Sequence, residues 1–131
     1  RTVCEMTSIH GAIVALLVAD TAVSTLVSNR IYPVRMPLNV TYPAISIHEI
    51  SGNEDHVTGH KHNRYQVSCW STSFSQVQSV KEAVIDCLQR YKGVASGNKI
   101  KQISFEGSMD LYEEETKIYH IPLDFIVIHY T

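Results

Sequence analysis

Charge is what this 131-residue sequence has little of: Asp, Glu, Lys and Arg make up 18% of it, below the ~25% usual in soluble domains. Its 11 basic and 13 acidic side chains leave a formal charge of −2, and no stretch gathers Lys and Arg into a stripe. A protein that grips nucleic acid does so by neutralising phosphates with clustered cations, so the composition argues against that class. Cys4, Cys69 and Cys87 are odd in number and stand in no C-x-x-C spacing. A secreted disulfide framework is thereby disfavoured, and reduced thiols in a cytosolic setting fit better. The apolar segment Ile9 to Val18 falls well short of the ~20 residues that span a bilayer, and no basic region and cleavage site mark it as a targeting signal. The G-x-x-x-x-G-K, H-E-x-x-H and G-x-S-x-G signatures are absent as well, which removes the common routes to phosphate binding, zinc hydrolysis and serine catalysis.

What is present is apolar material, 44% of the chain, enough for one domain spanning residues 1–131 that folds without metal or disulfide staples. Met6-Thr7-Ser8 reads as a natural start, which leaves Arg1 to Glu5 as a non-native or extended N-terminus. Ile9, Ala12, Ile13, Leu16 and Leu17 recur at helical spacing and predict an amphipathic helix from Thr7 to about Ala19. Asp20-Thr21 interrupts that pattern, and Ala22, Val23, Leu26 and Val27 resume it as a short second helix or a kinked continuation. Ile31 to Val34 predicts a strand that Pro33, having no N–H to give a ladder, confines to an edge. Ala44 to Ile50 is β-rich, residues 52–63 read as a flexible polar loop, and Tyr65, Val67 and Cys69 alternate with Gln66, Ser68 and Trp70 as a hairpin partner. Overlapping capping boxes at Ser73 and Ser75 then open a helix whose Val77, Val80, Val84, Cys87, Leu88 and Tyr91 share one face. Val94 to Asn98 reads as a turn, followed by strands over Lys99 to Glu106 and Lys117 to Tyr130. The last of these is apolar on both faces near its end, so it needs cover on both, from a helix, another layer or a neighbouring subunit. The expected fold is α+β, a mostly antiparallel sheet of four to five strands with two main helices packed on one face.

His56, His60 and His62, beside Glu54 and Asp55, are the residues with the most enzyme-like spacing, because imidazoles two and four positions apart can share a Zn²⁺ if the chain curls around it. A polar surface loop that has gathered histidines explains the same residues and is the favoured reading, with no metal and no cofactor. Cys69 with His48 imitates a thiol and base pair, yet Cys69 lies in phase with Tyr65 and Val67 and reads as a small core hydrophobe. Trp70, the single tryptophan, is either core or an aromatic anchor between subunits. Asp110 with Glu113, Glu114 and Glu115 is a charge run, read as a solvated loop or a working electrostatic surface. Arg30 follows the first helical region and suits its C-terminal dipole.

Four motifs in one order complete the reading: Asn29-Arg30-Ile31-Tyr32-Pro33 after a first helix, Tyr42-Pro43-Ala44-Ile45 at a strand entry, Arg64-Tyr65-Gln66-Val67-Ser68-Cys69-Trp70, and the Ser75 to Leu88 helix. In this order the chain from Met6 to Thr131 resembles the tail completion (tail terminator) proteins of long-tailed bacteriophages. The resemblance implies a non-enzymatic virion protein, assembled in the host cytoplasm, that forms a ring, commonly of six copies, at the head-proximal end of the tail. Such a ring ends tube growth, meets the tail-tube protein on one side and a head-connector or head-closure protein on the other, and lets DNA pass through its lumen unbound. Interface candidates on that reading are Arg30, Tyr32, Trp70, Asp110, Glu113, Glu114 and Glu115, with the acidic run turned to the lumen. The His-rich segment and the residues before Met6 depart from the family pattern. The competing readings are a small metal-binding module or enzyme built on His56, His60 and His62, and a neighbouring head-closure or tail-tube protein.

Overall fold

The computed structural model describes residues 9–28, 30–33, 40–54, 60–95 and 98–130. The first described element is helix α1 (Ile9–Ala19), which buries Ile9, Ala12, Ile13 and Leu17 as the spacing predicts. Asp20 ends it. This residue takes the N-cap of α2 (Thr21–Val27), its Oδ1 accepting a hydrogen bond from the Val23 N–H at 3.1 Å, and the two helices meet at 88°. The interrupted pattern is therefore a second helix and not a kinked continuation, because a side-chain cap satisfies the new N-terminus. No single described helix is long and apolar enough to cross a membrane.

Seven strands follow the order β1-β2-β3-β7-β5-β4, with β6 also paired to β7. They are β1 (Ile31–Pro33), β2 (Ala44–Glu54), β3 (His60–Ser71), β4 (Gly93–Ala95), β5 (Asn98–Ser108), β6 (Leu111–Glu113) and β7 (Ile118–Tyr130), with helix α3 (Phe74–Leu88) between β3 and β4. Strand β1 occupies an edge, as Pro33 requires, but runs parallel to β2, opposing Ile31 to Ile45 and Pro33 to Ile47. The sheet is thus mixed and has seven strands, where four to five mostly antiparallel ones were expected, and three described helices accompany it. A tight hairpin turn returns a strand antiparallel, so the parallel pairing goes with a longer connector between Pro33 and Ala44. Strands β4 and β6 are too short to impose a visible period on the sequence.

Two further expectations change. Of the segment read as a loop over residues 52–63, the described parts are strand: Gly52 pairs with Asn63, Asn53 with His62 and Glu54 with Lys61, while β7 holds the other side of β3 from His60 onward; residues 55–59 lie outside the described residues. Ladder bonds come from the backbone, so a polar side-chain run does not preclude a strand that has a neighbour on each side. The Val94 to Asn98 turn likewise contracts, since Val94 and Ala95 pair with Lys99 and Asn98.

Packing follows the alternation. Ile45 and Ile47 of β2, Tyr65, Val67 and Cys69 of β3, and Ile121, Leu123, Phe125 and Val127 of β7 face one side, where they join Val77, Val80, Val84 and Leu88 of α3 and the buried residues of α1 and α2 in one core. Ser73 caps α3 by accepting from the Gln76 N–H at 3.4 Å. Cys87 and Tyr91, expected on the same buried stripe, are only half-buried at its margin.

Candidate functional site

Because the helices gather on one side, the other face of the sheet carries residues of the opposite phase, and these are where a partner has room to bind. Rows of cross-strand neighbours define it. Ala44, Trp70, His120 and Leu111 form one row at the end of the sheet where β3 leads into α3. The Trp70 indole lies flat on the His120 imidazole, centroids 3.7 Å apart and planes within 7°, and its Nε1–H donates to Ser46 Oγ at 3.0 Å. Ser46 and Ser68, paired across β2 and β3, are both buried. The indole is half-buried and pinned in orientation, on the face of the sheet opposite the core.

Burial lowers the His120 pKa below the ordinary 6.5, with the Glu113 carboxylate acting against that shift and His48 with it. The unfolded chain therefore takes up a proton on this ring at higher pH than the folded one, and the stability contributed by the neutral ring is lost as pH falls below 6.5. A protonated imidazole quenches indole emission, so Trp70 fluorescence should drop on acidification with a midpoint below 6.5, and His120→Gln should abolish that step. A midpoint at or above 6.5 would count against the buried stack.

The next row is polar. Gln66 Nε2 donates to Asp124 Oδ1 at 3.5 Å, and Arg64 stands 3.9 Å from the same carboxylate. The pair is more than a third exposed and contributes little to stability. Beside it Gln66, Gly107, Ser108, Met109, Pro122 and Asp124 line a hollow of about 260 Å³, smaller than the ~300 Å³ at which ligand pockets begin.

The candidate residues separate. His56 lies outside the described residues. His60 opens β3 opposite Tyr130, and His62 follows on the same strand opposite Ile128 and Asn53. Among the described residues no three His, Cys, Asp or Glu side chains are placed to share a metal ion. Cys69 and His48 point to opposite faces: Cys69 pairs with Ile45 in the core, where burial pushes its thiol up to about 12, and His48 pairs with Gln66 on the open side. Arg30 is a tie between elements, its Nε donating to the Pro43 carbonyl at 3.0 Å and its Nη2 to the Leu26 carbonyl at 3.4 Å, close to the dipole role read from sequence. Tyr32 is half-buried on edge strand β1 opposite Ser46.

Asp110, Glu113, Glu114 and Glu115 are all exposed on the β6–β7 hairpin, where Thr116 Oγ1 donates to Glu113 Oε1 at 2.8 Å. That hairpin also brings Tyr112 against Tyr119, whose ring meets Phe74 from α3 on its other side. Sequence reading missed this aromatic row and His120 alike, because only strand register juxtaposes them. It also missed a polar chain at the far end of β3, where His129 Nε2 lies 2.7 Å from Asn63 Oδ1 and the Asn63 amide donates to Glu49.

The family model for Tail completion protein gp17 matches residues 11–130. The chain belongs to the phage tail completion protein family. Membership makes it a structural virion component of a phage tail, as the order of motifs implied. A chain from the virion of the native gene transfer agent (GTA) particle superposes with a TM-score of 0.79 at 19% identity, over 93% of this chain and 94% of that one. At that identity the likeness is one of fold. No curated protein matches the sequence.

Proposed function

We propose that this tail completion protein forms a ring, six subunits coaxial with the tail tube, at the head-proximal end of the tail, where it ends tube growth and joins the tail to a head-connector or head-closure protein. The single observation that carries the reading is the family match across residues 11–130. Two features support it. One face of the sheet bears Trp70, Pro122, Ile126 and Ile128 half-buried without a covering helix, the kind of surface a neighbouring protein completes. The charge supports it too, because six copies at −2 each give a ring of about −12, and a conduit of that sign repels DNA instead of holding it. Residues Arg30, Tyr32 and Trp70 and the acidic run from Asp110 to Glu115 are the proposed contact positions. The protein acts as a single-domain, non-enzymatic component that assembles in the host cytoplasm and needs no cofactor.

Particles assembled without this protein should carry overlong tails or tails unattached to heads, and the purified protein should show no affinity for duplex DNA at moderate salt. Tails of normal length joined to heads in its absence, seen by electron microscopy, would sink the proposal. The histidines offer a second check. Replacing His56, His60 and His62 together by alanine should leave the folded fraction and the metal content unchanged. Stoichiometric zinc in the unaltered protein, lost in the triple variant by elemental analysis, would instead promote the metal-binding reading.

A further inference from the structure

A closed ring of more than two subunits needs a heterologous contact, in which two different surfaces of the same chain fit each other. We propose that these are the two ends of the β5–β7 ladder: the aromatic, acidic end of one copy docks on the basic β4 end of the next. This rests on the ring reading above and names the surfaces that close it.

At the first end three rings stand in a row. Phe74, 46% exposed, meets Tyr119 edge-on with centroids 5.4 Å apart, and Tyr112, 48% exposed, packs on Tyr119 at 4.7 Å. Met109 and Leu111 are exposed on the same hairpin. Asp110, Glu113, Glu114 and Glu115 surround these residues, with Lys117 the one cation of the turn. Half-exposed aromatic groups gathered in one place are uncommon on a surface that stays in water and are enriched where proteins meet.

At the other end β4 pairs with the start of β5, so Val94, 65% exposed, stands across from Lys99. Lys92 precedes it, Lys101 sits at the irregularity between Ile100 and Gln102, and Arg90 is fixed beside them by its N–H, which donates to the Ile103 carbonyl at 2.8 Å. Arg90, Lys92, Lys99 and Lys101 are all exposed, and the acid nearest them in the chain is Asp86 in the last turn of α3. Strand β4 is the edge of the sheet, with no described strand on its outer side. At ~3.3 Å per residue, Lys101 and Ser108 lie about 23 Å apart along β5.

Each subunit therefore carries cations around an exposed aliphatic residue at one end and carboxylates around exposed aromatic residues at the other. A second copy satisfies both at once: apolar groups meet, and charges of opposite sign ring the contact and fix its orientation. Repeating the step consumes every end only when the chain of copies closes.

The test uses the full chain in sedimentation velocity at about 0.05 M and about 0.5 M salt, a range over which screening of surface charge changes strongly. The unaltered protein should associate and do so more weakly at the higher salt. Glu114→Lys with Glu115→Lys, or Lys92→Glu with Lys101→Glu, should each weaken association about tenfold or more while circular dichroism stays unchanged. An equimolar mixture of those two double variants should associate again, because every altered end then finds a neighbour of opposite sign and an even-numbered ring closes by alternation. Undiminished association of each double variant alone, or a mixture no better than its parts, would overturn the inference and leave the ring reading intact. Absence of any ring, in solution and in isolated tails, would instead overturn the ring reading and this inference with it. Duplex DNA binding that the Lys92→Glu, Lys101→Glu variant loses while its association is unchanged would assign the basic end to nucleic acid and also refute the proposal.

Discussion

Leu88→Ala is expected to lower the unfolding free energy by about 2 to 5 kcal/mol, read from denaturant melts at constant m-value. Leu88 closes the buried stripe of α3 and is fully inaccessible, as are Val77 and Val84 on the same stripe. Truncation removes the transfer energy of its methyl groups and leaves a void that the ladder beneath resists filling, since Ile121, Leu123, Phe125 and Val127 are fixed by bonding of β7 to neighbours on both sides. Phe125→Ala, at the largest fully buried side chain, should cost about 3 to 5 kcal/mol for the same reason. A loss below about half a kcal/mol at Leu88 is what an exposed site gives, and it would show that α3 does not pack on the sheet as described.

Cys69 should resist alkylation in the native protein by about a thousandfold relative to the unfolded chain from ionisation alone, because the thiolate is the reacting species. Burial drives this, raising the thiol from 9.0 to about 12, with Lys81 opposing it weakly. Mass spectrometry of the peptide containing Cys69, after brief iodoacetamide treatment with and without denaturant, reads the difference. Comparable labelling in both conditions would mean the thiol is open. The same shift links to stability. The folded-state value lies above the unfolded one, so this contribution is fully present below pH 9 and is lost as pH rises from 9 towards 12, at up to about 1.4 kcal/mol per pH unit. Cys87, raised to about 12 by burial and the nearby Asp20 charge, and Tyr65, raised to about 12 by burial and Glu49, act in the same direction. Alkaline unfolding should therefore begin early.

Elements long enough to repeat a pattern were legible from sequence. Helix α3 shows its apolar stripe over four turns behind a serine cap, and β3 and β7 show clean alternation, so their mutual packing could be foreseen. The parallel pairing of β1 with β2 could not, because direction is set by the connector and three residues carry no directional signal. Strands β4 and β6 were hidden for the same reason. The hairpin at Glu54 and His60 was masked by polar side chains, which report solvent and not backbone pairing. At the candidate surface, the acidic residues were visible as a run. The Phe74, Tyr112 and Tyr119 row and the Trp70–His120 stack were not, since each joins residues far apart in the chain that only register brings together.

Strand β7 sits in the middle of the sheet, bonded to β3 on one side and to β5 and β6 on the other, yet it follows every other described strand in sequence. Until residues 118–130 have left the ribosome, no strand joins β3 to β5 and only the helices bridge the two parts of the sheet, and the long-range pairing that completes the ladder is intrinsically slow. The Trp70 stack lacks His120 and the aromatic row lacks Tyr119 during that interval. Both features therefore depend on a strand synthesised after every other described strand.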